Sequence, residues 1–402
     1  MNILGNIVVY IIMICAIIGA IASIVKEDSE LGNQFLEGIN SIGAIFLPVA
    51  GIMASAPFIT KFVSTIFGPI FKAVGADPAM AATTFIAVDM GGYQLANALA
   101  STKESWIMAM ITGYMAGATI VFSIPVGLKM IQKKDQKYLA LGIMSGVLTI
   151  PVGVLVSSLF IAISKPYIRE VISTDSAATY QLMLSYIQIF KNLIPLIIIC
   201  VAIAIGLLLK PDSMIKGFII FGKTMDSALR LIFVFCVVEY FTGFFSKIFG
   251  VWGFDPIIAD SVDQVRALEV SGAVGIMLCG AFPMVYLIKK YLSNPLNKIG
   301  KKFGLSTDAT TGLLAAAANV LALFAMIKDM KAEDKVKTIA FSVCCAFLIG
   351  DHLAFTANFQ PNLILPIMIG KLVAGILAIV ISIKISVPKA IKLESEDLTM
   401  NK

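Results

Sequence analysis

The chain has 402 residues, of which 58% are hydrophobic and 14% charged, and its formal net charge is +6. Because an ordinary soluble domain carries roughly 25% charged residues, this composition excludes a soluble globular protein and indicates an integral membrane protein. The positive charge lies mainly in short Lys-rich loops, as the selection of membrane topology produces, so it is no evidence for binding to nucleic acid.

Apolar runs long enough to cross a bilayer recur along the whole chain. Crossing a hydrocarbon core about 30 Å thick takes about 20 apolar residues. The first run has no Lys or Arg before it and no small-residue cleavage site after it, so we expect it to be retained as a span rather than cleaved as a signal peptide. In chain order the predicted spans are 3–25, 40–66, 105–130, 138–163, 183–209, 217–248, 267–288, 338–358 and 363–386.

Two further segments, 79–100 and 306–327, are short, rich in Ala, Gly and Thr, and interrupted by polar residues. If both crossed the bilayer, the basic loops 289–302 and 328–337 would lie on opposite sides, although basic loops tend to face the cytoplasm. If both enter and leave on one side, every basic loop lies on the same side. We therefore favour nine spans and two re-entrant or broken helices, with the N-terminus outside and the C-terminus inside. Irregular backbone at membrane depth needs protein or a water-filled cavity around it, so these two segments mark the predicted pathway.

The two halves of the chain resemble each other. Pro57 and Pro69 have the same separation as Pro283 and Pro295, and "GATIVFS" later in the first half aligns with "GDHLAFT" in the second. Their shared order indicates a duplication, and the topology above makes it an inverted repeat, as in many transporters. A parallel repeat remains open if the weak segments cross fully. The expected fold is an all-α polytopic membrane protein of nine to eleven segments, divided into a first repeat half 1–182, a connecting span and loop 183–216, a second repeat half 217–388 and a polar cytoplasmic tail 389–402.

Two carboxylates lie at the expected membrane depth: Asp89 in the first weak segment and Asp351 in the span after the second. A carboxylate at the bilayer centre costs about 2.5–3.5 kcal/mol on insertion scales, so one that persists usually faces a cavity and has a partner. Both are therefore candidates for binding a cation. The alternative is structural: Asp89 satisfies the backbone broken at the Gly-Gly pair that follows it, and Asp351 pairs with Lys371 or the 328–337 loop.

Other side chains in these segments extend the candidate site. His352, the single His of the chain, is either a neutral imidazole within the bundle or a gate or pH-sensitive contact beside Asp351. Aromatic rings could attract an ammonium by about 0.5–2 kcal/mol, and hydroxyl or amide groups could bind a substrate hydroxyl, although packing and interhelical hydrogen bonds are equally good explanations. The candidate binding residues are Asp89, Tyr93, Asn97, Phe122, Ser123, Asn319, Asp351, His352, Phe355 and Thr356.

The sequence gives little support for an enzyme or metal site. It contains no HExxH or GxSxG, and a single His would have to serve every catalytic role. The six Cys lie in apolar segments without metal-ligand spacing. We therefore expect no enzyme activity, no metal and no cofactor.

Seven stretches carry a resemblance to a known family. They are, in family order from about residue 40 to 380, "GADPAM", "VDMGGYQLA", "GATIVFSIPVG", "KYLALGIMSGVLTIPVG", "FDPI", "GDHLAF" and "PIMIGKLVAG". At these residues the chain resembles the ethanolamine permease family of ethanolamine-utilisation operons, EutH. The resemblance implies a multi-pass protein of the bacterial inner (cell) membrane that brings in ethanolamine for breakdown by a cobalamin-dependent lyase.

Protonated ethanolamine fits the residues at depth, since a small ammonium calls for an anionic or aromatic pocket and its hydroxyl for a hydrogen-bonding partner. We therefore expect a permease or facilitator with a site near the midplane between the repeats. The alternatives are a carrier that couples another small solute to Na⁺ or H⁺, an ethanolamine sensor, and an intramembrane enzyme. The expected partners are ethanolamine and the lipid bilayer; helical transporters often form dimers, so a homodimer is included, although nothing in the sequence locates an interface.

Overall fold

The computed structural model describes residues 2–302 and 304–400. Nineteen α-helices and one small sheet occur in these residues, so the all-α class expected from the sequence is confirmed. The α-helices are α1 Asn2–Val25, α2 Glu30–Ala54, α3 Ala56–Ala73, α4 Ala79–Phe85, α5 Gly92–Leu99, α6 Lys103–Thr112, α7 Ile124–Met130, α8 Gln136–Val147, α9 Ile150–Ser164, α10 Tyr186–Leu209, α11 Pro211–Thr242, α12 Phe244–Phe249, α13 Ala267–Lys302, α14 Thr307–Ala318, α15 Val320–Met326, α16 Ala332–Cys345, α17 Asp351–Phe359, α18 Ile364–Ile385 and α19 Val387–Met400.

Shorter elements complete the chain. A π-helix, Gly113–Ser123, joins α6 to α7 without a break. The loop between α9 and α10 contains the antiparallel strands β1 Tyr167–Ile168 and β2 Tyr180–Gln181. The 3₁₀ turns are Val88–Met90, Lys133–Asp135, Ile327–Asp329 and Pro361–Leu363.

Seven helical stretches in the described part of the chain are long and apolar enough to cross a membrane. They are Gly5–Val25, Glu30–Ala54, Lys103–Met130, Lys133–Ser164, Tyr186–Leu209, Ala267–Lys298 and Pro361–Ile385. Helix α11, which contains most of the predicted span 217–248, is not among them and carries Lys223, Asp226 and Arg230 in its middle. These stretches confirm a multi-pass membrane protein, while the count of nine spans stays a prediction.

The structure corrects two predicted spans. Segment 40–66 is not one helix, because α2 and α3 meet at Ser55. Segment 338–358 is broken: α16 ends at Cys345, α17 begins at Asp351, and between them Phe347 has a positive φ of 58°. Positive φ is strained for a bulky residue, so surrounding contacts must hold the break in place. The amide of Phe347 donates to the carbonyl of Ala316 (3.1 Å) near the end of α14. The amide of Ile349 donates to the carbonyl of Ala317 (2.9 Å).

The first weak segment is a broken hairpin whose two ends meet. Helices α4 and α5 are separated by residues 86–91, which contain the 3₁₀ turn Val88–Met90 and in which Gly91 has φ 91°, a value suited to glycine. The Asp77 carboxylate accepts one hydrogen bond from the amide of Ala79 (2.9 Å) at the start of the hairpin and another from the amide of Ser101 (3.0 Å) at its end. The segment therefore begins and ends side by side.

The second weak segment is closed in a similar way. Helices α14 and α15 are separated by Asn319, whose φ of −154° and ψ of 120° are extended rather than helical. At the start of α14, the hydroxyl of Ser306 donates to Asp334 (2.7 Å), which lies in the first turn of α16 just after the hairpin. Both weak segments are thus helix–break–helix hairpins with neighbouring ends.

The hairpins are surrounded by long helices. Helix α2 packs along α13. Helix α16 packs against both α8 and α18, and α18 also packs against α9. Hairpin α4–α5 packs against α6 and the π-helix, and α14 packs against α16. Each broken hairpin therefore rests on the helix that follows it in the chain.

Candidate substrate site

The backbone breaks surround a cavity of ≈ 90 Å³. Its walls come from α2, the break of the first hairpin, the π-helix, the break before α17, and the first turn of α17. The volume is enough for several water molecules or one small solute. The lining residues are Ala44, Ile45, Pro48, Ala87, Asp89, Met90, Ala118, Phe122, Phe347, Asp351 and His352.

A larger cavity between α10 and α11, of ≈ 520 Å³, does not have the chemistry of a cation site. Its lining contains one hydroxyl, that of Ser213, and no titratable side chain. An amine would lose its hydration there without gaining a charged partner, which is costly. The smaller cavity is therefore the candidate site.

Asp89 lies in the 3₁₀ turn of the first break, where the chain leaves α4 and has not yet begun α5. Its side chain is 19% exposed. Atom Oδ2 is 3.9 Å from Nε2 of His352, and the buried Oδ1 has no hydrogen-bond partner among the described residues. A buried acceptor without a partner is expensive, so Oδ1 is an atom that a bound donor would satisfy.

Asp351 lines the same cavity from the first turn of α17. A carboxylate at a helix N-terminus is stabilised by the positive end of the helix dipole. Within the described residues no Lys, Arg or His comes within ion-pair distance of Asp351. The alternative in which Asp351 pairs with Lys371 is therefore not what the structure has.

Lys371 instead contacts the residue next to Asp351. Its Nζ, on the fully buried side chain in α18, is 2.8 Å from Nδ1 of His352 and donates to the Tyr114 carbonyl at 3.0 Å. The Tyr114 hydroxyl in turn lies 2.6 Å from the Thr356 hydroxyl, which bonds to the His352 carbonyl. This network fixes the imidazole with Nε2 facing Asp89, and Nε2 has no hydrogen-bond partner in the described part of the chain.

Two aromatic rings lie beside these polar groups. Phe122 of the π-helix and Phe347 of the break before α17 meet edge to face, with ring centroids 5.6 Å apart. Phe347 also lies 5.5 Å from the His352 ring. An ammonium at the carboxylates would therefore have apolar, π-rich surfaces close by.

Four of the predicted binding residues, Asp89, Phe122, Asp351 and His352, line the cavity. Tyr93 and Phe355 do not; they are fully buried in an aromatic cluster in which Tyr93 stacks on Trp106 at 4.7 Å. The Tyr93 hydroxyl accepts a hydrogen bond from the side-chain amide nitrogen, Nε2, of Gln360 (2.8 Å).

The remaining four predicted residues also lie outside the lining. Asn97 is half-buried on α5, and Ser123 is buried beside a separate space of ≈ 10 Å³. Asn319 caps α15 by accepting a hydrogen bond from the Leu321 amide (2.9 Å), and Thr356 belongs to the Tyr114 network. A structural use for Asn319 and Thr356 is therefore visible, whereas Asn97 makes no side-chain hydrogen bond within the described part of the chain that would explain it.

Three residues near the site are absent from the sequence-based set: Lys371, Tyr114 and Phe347. Lys371 carried a usable signal, because a lone Lys in the middle of an apolar span needs a buried partner. The two aromatics carried none in a chain with 26 Phe and 10 Tyr. No group of three or more His, Cys, Asp or Glu that could hold a metal ion occurs within residues 2–302 and 304–400.

Comparison with known proteins adds a family match. The family described as "Ethanolamine utilisation protein, EutH" matches residues 4–385. The chain is 39% identical over 381 residues to "Probable ethanolamine permease EutH" of Listeria monocytogenes, with 94% of each chain covered. It is 34% identical over 419 residues to the protein of the same name in Escherichia coli, covering 99% of this chain and 98% of the relative. "Uncharacterized protein YxeR" of Bacillus subtilis is 32% identical over 373 residues, with 92% of each covered. No solved structure matches.

Proposed function

We propose that this chain, which belongs to the EutH family of ethanolamine utilisation proteins, is a permease that takes up protonated ethanolamine through the cavity beside Asp89 and Asp351. It is a multi-pass bacterial membrane protein, and its named relatives are permeases, so it is a transporter rather than an enzyme. The substrate and the residues that bind it are the proposal.

The unpaired Oδ1 of Asp89 is the observation that carries the proposal. An organic ammonium has N–H donors to offer, and charge-assisted hydrogen bonds are about twice as strong as neutral ones. The ammonium then lies against Asp89 and Asp351, which approach the cavity from different halves of the chain. Phe122 and Phe347 keep bulk water from its methylene groups.

The substrate hydroxyl has one evident partner. Nε2 of His352 faces the cavity, has no partner in the described residues, and lies 3.9 Å from the carboxylate that binds the ammonium. An amino alcohol has its nitrogen and oxygen two carbons apart, so one molecule could bond to both groups. A simple alkylamine of the same length would leave Nε2 unpaired.

The proposal includes an inverted repeat with both broken hairpins re-entrant. The sequence alignment pairs Gly117 with Gly350, and the two glycines pack in equivalent ways. A Cβ added at Gly117 would lie 2.2 Å from the carbonyl oxygen of Ile86. A Cβ added at Gly350 would lie 2.2 Å from the carbonyl oxygen of Ala318. Each glycine therefore lies on the break of the hairpin in its own half. This parallel, and the meeting ends of both hairpins, support two copies around one site.

Uptake of a cation needs no coupling ion in this proposal. An inside-negative potential favours entry of one positive charge by about 2.3 kcal/mol per 100 mV. We therefore infer a facilitator that is driven by the membrane potential and by consumption of the substrate inside the cell.

Uptake of labelled ethanolamine by proteoliposomes tests this function. The proteins compared are the wild type, Asp89→Asn, Asp351→Asn and, as a matched control, Asp28→Asn in the exposed turn after α1. We expect Asp89→Asn to lower uptake about tenfold or more, since a hydrogen bond to a charged group contributes about 1.5–3 kcal/mol, and the control to match the wild type. If both site variants are folded and transport at the wild-type rate, the site is wrong. If uptake requires a Na⁺ or H⁺ gradient in the absence of a membrane potential, the carrier is coupled.

A further inference from the structure

Lys371 is a buried amine that has no carboxylate in contact among the described residues. Its side chain is fully buried, and no carboxylate lies within ion-pair distance of Nζ among the residues that the structure describes. Its polar contacts are the Tyr114 carbonyl and Nδ1 of His352. Burying a charge in this way is costly unless another group compensates it.

The carboxylate of Asp89 lies on the far side of the His352 imidazole ring from the Lys371 amine. An ammonium can only donate hydrogen bonds, so a protonated Lys371 assigns Nδ1 of His352 as the acceptor and leaves the ring proton on Nε2. Nε2 is the atom that faces Asp89, with 3.9 Å between it and Oδ2. A protonated Lys371 therefore orients the His352 ring so that its Nε2–H, the positive end of the ring dipole, points toward the Asp89 carboxylate at the cavity.

From this geometry we propose that Lys371 determines the charge of the substrate that the site accepts; the inference rests on the proposed function. With both carboxylates ionised and Lys371 protonated, Asp89 and Asp351 contribute two negative charges and Lys371 one positive charge, which leaves these three groups with a net charge of −1. One monovalent ammonium neutralises it. A dication would leave an uncompensated positive charge in a low-dielectric site, so Lys371 excludes diamines.

A purely structural role for Lys371 makes a different prediction. Its two hydrogen bonds fasten α18 to the π-helix and α17, and Cys345 of α16 bonds to its carbonyl (3.0 Å). If that fastening were its whole role, substitution would lower stability and would leave the preference between monocations and dications unchanged.

Ethylenediamine is a suitable probe, because it replaces the ethanolamine hydroxyl by a second amine at the same separation. In mildly acidic buffer both of its amines are protonated. We would measure how well unlabelled ethanolamine and ethylenediamine compete with labelled ethanolamine for uptake by proteoliposomes. The proteins are the wild type, Lys371→Met, Lys371→Arg and, as a control, Lys384→Met, which removes an exposed Lys from the same helix.

The wild type and Lys384→Met are expected to prefer the monocation by about tenfold or more, since an uncompensated like charge in the site is strongly unfavourable. Lys371→Met should lose most of this preference, and Lys371→Arg should keep it. A folded Lys371→Met protein that transports with the wild-type preference overturns the inference. If the wild type does not take up ethanolamine, the proposed function fails instead, which is a separate result.

Asp351→Asn tests the same charge count without altering Lys371, and so covers the case in which Lys371→Met does not fold. Removing one negative charge should weaken competition by ethylenediamine more than competition by ethanolamine, which increases the preference for the monocation. If uptake by Asp351→Asn is too slow to measure, thermal stabilisation by each amine in detergent gives the same comparison. An unchanged preference between ethanolamine and ethylenediamine in Asp351→Asn contradicts the proposal that Lys371 sets the charge of the accepted substrate.

Discussion

Asp77 and Ser101, separated by 24 positions in the chain, are joined by a 3.0 Å hydrogen bond from the Ser101 amide to the Asp77 carboxylate. The same carboxylate binds the amide of Ala79, so one buried side chain fastens both ends of the first broken hairpin. The amide of Asp77 is held in turn by Asn192 of α10 (2.8 Å). The position of Asp89 in the cavity therefore depends on a contact that lies outside the cavity.

Replacing Asp77 by Ala should destabilise the protein by about 2–4 kcal/mol, because each backbone donor left unpaired in a buried site costs about 1–3 kcal/mol. Asp77→Asn keeps one acceptor oxygen, so it should lower the stability about half as much as Asp77→Ala. The unfolding midpoint in detergent measures both, with Asp28→Ala in an exposed turn as the control. Wild-type unfolding of Asp77→Ala would mean that the hairpin ends are held by other contacts.

Membrane topology gives a second prediction. If both hairpins are re-entrant, position 103 lies outside the cell and position 331 inside. Single Cys residues at these positions, in a protein whose six native Cys are replaced, should react with an impermeant thiol reagent in intact cells at 103 and not at 331. Position 175, in the loop between α9 and α10, and position 216 provide an outside and an inside control under the same topology. Labelling of 103 and 331 from the same side would favour full crossing by the second hairpin, because the first hairpin lies before both positions.

The close packing of Gly117 and Gly350 gives a third prediction. A methyl group at either position would lie 2.2 Å from a backbone oxygen of the adjacent break, and backbone cannot move aside cheaply. Gly117→Ala and Gly350→Ala should each lower stability by about 1–3 kcal/mol and should reduce uptake, because the breaks carry cavity residues. The unfolding midpoint and the uptake rate measure the two effects.

Gly272→Ala on α13 is the matched control, since a Cβ there meets open space. It should be neutral or slightly stabilising, because Ala favours a helix over Gly by up to about 1 kcal/mol. Gly117→Ala or Gly350→Ala with wild-type stability and uptake would contradict the role of close packing at the breaks.

The class of the protein and the first break could be predicted because their causes are local. Apolar run length determines which segments can enter a bilayer, and the polar and glycine residues around Asp89 interrupt helix 79–100 directly. The break before α17 could not be predicted from its own residues, because its amides are bonded to the carbonyls of Ala316 and Ala317 in α14, which belongs to the second hairpin.

The partners of buried charges were equally hard to predict. The sequence places Lys371 in an apolar span and offers Asp351 as its counter-ion, whereas in the fold Lys371 meets Tyr114 and His352. Those contacts bring three distant elements together, and no pattern along one helix describes them. Tyr93 is a similar case: it follows the glycine pair at the break, but the direction of α5 aims its ring at Trp106 instead of the cavity.

The aromatic pair at the cavity gives the last prediction. Phe122 and Phe347 meet across the two halves of the chain at 5.6 Å, and both rings line the cavity. Phe347→Ala removes one of these rings while leaving the two carboxylates in place, so the site should admit amines that are larger than ethanolamine. The expected result is that N-methylated ethanolamines gain about tenfold relative to ethanolamine as competitors of uptake, since burial of a few methyl groups changes binding by about 1–3 kcal/mol. Phe241→Ala, on the exposed surface of α11, is the control and should leave the ratio unchanged. A Phe347→Ala protein that still transports ethanolamine but shows the wild-type ratio would mean that other residues limit the size of the substrate.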